Sequence, residues 1–391
     1  MATHKPSTLD HILIWEDDMN GHAPEYVIGS AITYKNEGHT VSICTADNRR
    51  IIERLDDLGI SKSTFNYIES SKIRLSLGRC FPSLTTRLSR SLSIVRDYYR
   101  AKSTAKNRTL LYLPTIHAVN FRDYNYIFDL FNVKWSGLYL NASNFRVDPS
   151  SESATLLRLF RCRNLNSLFT IDPLAVDFIQ TTLKMDNVFF RPDFAYVCNN
   201  PSNELLEKVS TWTAGRKLGL HAGMLTARKG IAEFAKLIDE HDESQYCFVV
   251  AGRLSTSELS ETEMMLVEAT WNRANVMVIN RSLQQSEFDT LLSLADFVFC
   301  CYRDWTQGSN VMIRAGLLGK PVITRKGYLC DEVCTQYNLG ASVNPSAVEW
   351  TEITEDLLSN LRANPADNLV EVYSPLLIGN VSTQSAIEFP I

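Results

Sequence analysis

Short apolar runs rich in β-branched and aromatic residues alternate along the chain with longer stretches in which apolar residues recur at helical spacing. The first series of runs is His11-Ile-Leu-Ile-Trp15, Thr40-Val-Ser-Ile-Cys44, Phe65-Asn-Tyr-Ile68, Leu110-Leu-Tyr-Leu113, Gly137-Leu-Tyr-Leu140 and Ser167-Leu-Phe-Thr170. A second series follows residue 200: Lys217-Leu-Gly-Leu220, Tyr246-Cys-Phe-Val-Val250, Val276-Met-Val-Ile279, Phe297-Val-Phe-Cys300, Pro321-Val-Ile-Thr324 and Ala341-Ser-Val343. Near-continuous apolar runs of this length suit strands buried on both faces of a parallel sheet. The helical segments between them are the crossovers such a sheet needs. Phe190-Arg-Pro-Asp-Phe194 and Asn199-Asn-Pro-Ser202 separate the two series. Pro and Asn there predict an irregular linker near 191–213. The pattern therefore predicts an α/β protein of two Rossmann-like, doubly wound domains facing a central cleft. Ligands of open α/β sheets sit beyond the carboxyl ends of the strands, so two such faces make room for two substrates. The expected boundaries are 1–195, 196–365 and a tail, 366–391, for which a return to the first domain is one option.

Composition narrows the partners. The chain has 391 residues, 45% hydrophobic and 21% charged, which excludes disordered, collagen-like and coiled-coil classes and allows a sizeable core in each of two domains. A formal net charge of −5 argues against nucleic acid as partner. No apolar run approaches the ~20 residues that span a bilayer. Met1-Ala-Thr-His-Lys-Pro6 lacks an apolar h-region, so no secretory signal is expected. The nine cysteines are scattered, odd in number and without a CxxC pair, as free thiols of a reducing, cytoplasmic compartment are. Cys330 and Cys334 are the closest metal-like pair, but no histidine follows them, and no zinc site is expected. Asn107-Arg-Thr and Asn141-Ala-Ser read as chance matches to the glycosylation pattern.

The most informative stretch is Asp296 to Thr324, DFVFCCYRDWTQGSNVMIRAGLLGKPVIT. A strand leads into a polar loop, and Gly308-Ser309-Asn310 opens a helix that ends at Gly319 before Pro321. Ser309 or Asn310 is a good N-cap, and Gly319 fits a C′ position. A loop of small residues at a helix N-terminus offers free N–H groups and a positive dipole end to a phosphate; an ordinary capped βα turn has the same look. A second stretch, from Leu218 to Arg253, places His221-Ala-Gly223 after a strand and Arg228-Lys229-Gly230 before a helix with Ile231, Phe234, Leu237 and Ile238 on its apolar face. Lys229 sits where a cation opposes the helix dipole unless an anion is bound. Solvated side chains are the plain reading of both Lys229 and Arg253. Ser282-Leu-Gln-Gln285 reads as a capping box.

These three ordered motifs, G-x-L-x-x-x-K-G, V-V-A-G-R and G-S-N…A-x-x-G-K-P-V-I, resemble the donor half of GT-B glycosyltransferases. They are most similar to the large retaining group called family 4 or group 1, over about residues 217–345. Trp15-Glu-Asp-Asp-Met-Asn-Gly21-His22, Gly38-His-Thr-Val41 and Pro114-Thr-Ile-His117 extend the resemblance to the first half. The resemblance implies that Gly223 and Lys229 form the phosphate-binding loop and that Arg253 lies near the diphosphate or base. It implies that Gly308, Ser309 and Asn310 bind the β-phosphate. Gly21 corresponds to the glycine-rich loop of the acceptor side, and His117 to the histidine that reaches the transferred sugar. The family often has Arg directly after the first glycine. This chain has Met224 there, and Arg228 is the alternative. The family's E-x7-E pair, which holds the donor sugar and the ribose, falls on Thr306 and Arg314. Threonine offers a hydroxyl without charge. Arginine has donors only, so it suits an extra phosphate or carboxylate. Asp304 is the nearest acid for a shifted register.

From Lys72 to Arg108 the chain carries ten Lys or Arg and one acid, Asp97. Leu84, Leu88, Leu92 and Val95 lie at helical spacing among Arg87, Arg90 and Arg96. Such a basic amphipathic stretch suits an anionic membrane surface; a solvated helix over the sheet and a soluble anionic acceptor are the other readings. The reading as a whole is a cytoplasmic, metal-independent, retaining glycosyltransferase of glycan or polysaccharide biosynthesis, with peripheral contact at the inner membrane face as one option. It needs no cofactor. A nucleotide-diphosphate sugar is the donor, and a glycan, a lipid-linked or a small-molecule acceptor receives the sugar. The alternatives are a nucleotide- or glycan-binding protein of the same fold that lost catalysis, and a sugar-nucleotide epimerase.

Overall fold

The computed structural model describes residues 11–19, 23–73, 82–105, 108–116, 124–143, 162–195, 197, 201–343, 353–364 and 369, with the backbone alone at 82–84, 87, 124–125, 141 and 143. The chain divides into two compact units between Phe194 and Ala195. The first unit contains β1 (His11–Glu16), α1 (Ala23–Asn36), β2 (Thr40–Thr45), α2 (Asn48–Asp57), β3 (Asn66–Glu69), α3 (Pro82–Ala105) and β4 (Thr109–Ile116). It continues with α4 (Tyr124–Leu130), β5 (Trp135–Tyr139), β6 (Leu165–Thr170), α5 (Pro173–Leu183) and β7 (Val188–Phe190). All its strands are parallel, in the order β3-β2-β1-β4-β5-β6-β7.

The second unit holds α6 (Asn203–Thr213), β8 (Lys217–Ala222), α7 (Ile231–Glu240), β9 (Tyr246–Ala251), α8 (Glu261–Trp271), β10 (Val276–Ile279) and α9 (Gln285–Leu294). After these come β11 (Phe297–Cys300), α10 (Asn310–Leu317), β12 (Val322–Arg325), α11 (Leu329–Gln336), β13 (Gly340–Val343) and α12 (Glu355–Asn360). Its parallel sheet runs β10-β9-β8-β11-β12-β13. In both sheets the strand order reverses beside the first strand, at β1/β4 and at β8/β11. Such a reversal opens a crevice at the carboxyl ends, where ligands bind.

Continuous apolar runs are explained by burial on both faces. Along β9, Tyr246, Phe248 and Val250 enter one core and Cys247, Val249 and Ala251 the other. All twelve predicted strands form, each starting within two residues of its expected start. The thirteenth, β7, escapes prediction because three residues at a sheet edge carry no period. The expected linker near 191–213 includes a regular helix, α6, whose Leu205 and Val209 are buried. The tail 366–391 lies outside the described residues except for Leu369.

Within the basic segment, Pro82–Ala105 forms one 24-residue helix, α3. It buries Ile94, Val95, Tyr98 and Ala101, while Arg96, Arg100 and Lys102 stay exposed. Its single acid, Asp97, is fully buried and accepts from Trp15 Nε1 and from the Ser71 N–H. Arg90 departs from the expected solvent-facing role. It turns inward to pair with Asp17 and lies 3.7 Å from Glu16, because two carboxylates at the end of β1 need a cation.

Glu16 is 2% exposed. It accepts from the Thr115 hydroxyl and from the Asp18 N–H at 3.0 Å. Burial raises its pKa to about 7, against the opposing pull of Thr115, Asp18 and Arg90; the neighbouring Asp17 adds to the rise. The native state thus holds a proton that the unfolded chain has already lost. The associated stability is present below about pH 4.5 and is lost as pH rises through 7. At about 1.4 kcal/mol per unit this is up to roughly 3 kcal/mol. Denaturant melts of Glu16→Gln should show a flatter dependence between pH 5 and 8 than the parent. An unchanged slope would show that Glu16 titrates normally.

Candidate functional site

The site is built on the carboxyl ends of β8, β9 and β11. After β8 the backbone turns at Gly223 (φ +109°), and after β9 at Gly252 (φ +145°). A Cβ on Gly252 would lie 1.6 Å from the Gly223 carbonyl oxygen, so only glycine lets the two loops touch. The Gly223 N–H donates to Ala251 O (2.9 Å) and Leu225 N–H to Arg253 O (3.0 Å). A tight turn, in which Lys229 N–H donates to Thr226 O and Gly230 N–H to Ala227 O, then feeds α7 through Gly230 (φ +78°).

That turn sends adjacent cations to different places. The Lys229 ammonium lies 4.9 Å from the centroid of Tyr302 and 3.6 Å from the point where a Gly223 Cβ would be. Among the described residues it forms no ion pair. Burial lowers its pKa. The Arg228 guanidinium stacks 3.9 Å over Trp305. Its Nη1 is buried and has no hydrogen-bond partner among the described residues. Trp305 is itself fixed, Nε1 donating to Gly308 O at 3.0 Å, and the Arg303 N–H donates to Arg228 O at 2.7 Å.

On the β11 side, Ser309 is the N-cap of α10: its Oγ accepts from Met312 N–H and is 3.0 Å from the Tyr302 hydroxyl. Tyr302 therefore connects Lys229 to the helix start, and Trp305 connects Arg228 to Gly308. Gly223, Arg228, Lys229, Gly308, Ser309 and Asn310 gather in one loop cluster at the β8/β11 reversal. A preorganised ammonium such as that of Lys229 beside a helix N-terminus stabilises developing phosphate charge.

The remaining expected residues sit differently. Arg253 is exposed and contributes only its carbonyl to the loop contact. Asp304 is exposed, in a left-handed conformation (φ +45°), and accepts from the Tyr328 hydroxyl at 3.2 Å. Thr306 is half-buried between Trp305 and Gly308 in sequence. Arg314 corrects the expectation of a cation for an extra anion. It is 6% exposed, ion-paired with Asp289 of α9 (4% exposed), and lies 4.5 Å from the Phe288 ring. It faces inward because it is the fifth residue of a helix packed on α9. Cys330 and Cys334 are buried free thiols, and among the described residues no group of three or more His, Cys, Asp or Glu could hold a metal. Gly21 and His117 lie outside the described residues. The capping box of α9 is formed by Gln284 and Glu287, two residues beyond the expected Ser282 start.

Sequence reasoning missed a charge network beneath the loops. Glu233, 6% exposed in the first turn of α7, takes both Arg303 and Arg325 (3.2 Å), and Arg303 also reaches Glu263 at 2.6 Å. It ties the Lys229 turn to the ends of β11 and β12. The sequence signal was faint: a lone Glu inside an apolar helix start.

Two parallel sheets of this order, each carrying its loops at a strand reversal, define the GT-B fold. A glycosyltransferase from Rickettsia africae superposes with a TM-score of 0.63 at 14% identity, over 95% of this chain and 97% of that one. Anabaena HepE, solved with UDP and glucose, gives 0.61 at 15% identity, over 94% and 96%. A Listeria monocytogenes structure assigned as a UDP-N-acetylglucosamine 2-epimerase gives 0.56 at 12% identity, over 95% and 93%. No protein-family profile matches the sequence, and neither does any curated protein.

Proposed function

We propose that this chain transfers a sugar from a nucleoside-diphosphate sugar to a glycan, lipid-linked or small-molecule acceptor, with retention and without a metal. The observation that carries the reading is Lys229: a desolvated ammonium without a carboxylate partner among the described residues, joined through Tyr302 to the capped start of α10. An isolated cation of this kind costs stability unless an anion answers it, and a diphosphate is the anion that fits a helix N-terminus. As the C1–O bond to the phosphate breaks, Lys229, Gly223 and the Gly308-Ser309-Asn310 turn hold the charge that builds on the leaving group, with Arg253 toward the base. From the first half of the chain, His117 reaches the transferred sugar and Gly21 belongs to the loop of the acceptor side.

HepE, by its description, binds UDP and glucose, which supports a nucleotide-sugar donor here. Exposed Arg96, Arg100 and Lys102 beside exposed Tyr99, Tyr126, Leu130 and Phe131 support peripheral contact with an anionic membrane, at the cytoplasmic face, and hence a lipid-linked acceptor. No helix among the described residues is long and apolar enough to cross a membrane.

A second reading, a nucleotide-binding protein without turnover, is favoured by the absence of carboxylates at 306 and 314. One experiment separates them. Calorimetry with a panel of nucleoside diphosphates is followed by donor turnover on acceptor-bearing anionic vesicles, with products identified by mass spectrometry. Transfer undiminished by EDTA is expected. Binding without turnover supports the second reading, and an EDTA-sensitive reaction removes metal independence.

A further inference from the structure

The donor reading uses one of the two cations of the 228–229 turn and leaves the other unexplained. Lys229 faces Gly223 and Tyr302, and Arg228 faces Trp305. The two cations lie against different rings of the 302–309 loop, so the donor reading, which places the diphosphate at Lys229, assigns no ligand to Arg228. The Arg228 Nη1 is buried without an acceptor among the described residues, a state that costs free energy until something accepts from it.

Among the described residues, the carboxylates near this edge have other partners. Glu233 takes Arg303 and Arg325, Glu263 takes Arg303, and Asp289 takes Arg314. Asp304 is exposed and bonded to Tyr328. Beside Trp305 stands Thr306, a hydroxyl that does not repel an anion. A guanidinium 3.9 Å from the centroid of an indole that is itself fixed by Gly308 O carries a fork of donors suited to a carboxylate.

We propose that Arg228, held by Trp305, receives a carboxylate on the donor sugar, so that the preferred donors are nucleoside-diphosphate uronates. This rests on the donor-site reading and names the substrate class of that site.

The test is calorimetry on the full chain with UDP, UDP-glucose and UDP-glucuronate, and in parallel with GDP, GDP-mannose and GDP-mannuronate. In the series whose nucleotide binds, the uronate should bind at least about tenfold more tightly than its neutral counterpart, the low end for hydrogen bonds to a charged group. Arg228→Gln should abolish that preference and leave the bare nucleotide within about threefold. Arg228→Lys, which keeps charge but not the fork, should retain part of it. Equal affinity for uronate and neutral sugar overturns the proposal. So does a loss of bare-nucleotide binding in folded Arg228→Gln, which would make Arg228 a phosphate ligand. If nucleotide binds but the uronate preference is absent, the donor reading stands alone. If neither nucleotide binds, both fall.

Discussion

Replacing Lys229 by alanine is expected to cut sugar transfer by about 10²–10³-fold or more, the loss seen when one preorganised donor to a developing oxyanion is removed. The fold should persist, because the side chain forms no ion pair among the described residues. The free protein should in fact gain stability from Lys229→Met. That change keeps the length of the side chain and removes an ammonium whose desolvation lowers its pKa. In the parent the native state sheds this proton earlier than the unfolded chain does. Stability therefore rises with pH between the lowered value and the ordinary 10.5, and that rise should vanish in Lys229→Met. Steady-state kinetics and pH-dependent denaturant melts read the two effects. Full transfer in Lys229→Ala, with the protein folded, would sink the functional assignment. An unaltered alkaline slope in Lys229→Met would sink the electrostatic account of the lysine.

The second large effect concerns Arg314 and Asp289. Asp289→Asn leaves a buried guanidinium without its counter-charge, and breaking a buried pair from one side costs about 3–5 kcal/mol. Gln285 Nε2, 3.0 Å from Asp289 Oδ2, cannot replace the charge. Changing both partners, Arg314→Met with Asp289→Leu, should recover most of the loss, since an apolar pair needs no compensation. Nucleotide affinity in that double variant should match the parent. Urea midpoints and calorimetry give the answer. A cost under about 1 kcal/mol, or a lost nucleotide affinity in the folded double variant, would return Arg314 to the ligand-binding role its position in the motif implies.

These outcomes bear on how much of the site the sequence carries. Gly223, Lys229 and Ser309 were legible because loop glycines, a cation before a helix and a capping serine are local features with local causes. Trp305 and Tyr302 were not, since nothing in their spacing announces that each would face one cation of a turn some 75 residues earlier in the chain. The role of Arg314 was misjudged for a related reason. Its partner sits on α9, 25 residues before it. Likewise, Arg90 looked like part of a basic surface until the end of β1 supplied two acids for it.

By itself, the sequence determined the alternation of buried parallel strands and covering helices, the division into two units and the loops that close on β8 and β11. Those follow from apolar periodicity, glycine and capping chemistry, all settled within a few residues. Only the tertiary structure decided which charges are paired inside the protein and which are not. Glu233, Glu263 and Asp289 are spent on arginines brought from other elements, while Lys229 keeps no counter-ion among the described residues. Charge pairing acts across space between groups far apart in the chain, and one-dimensional spacing does not record it.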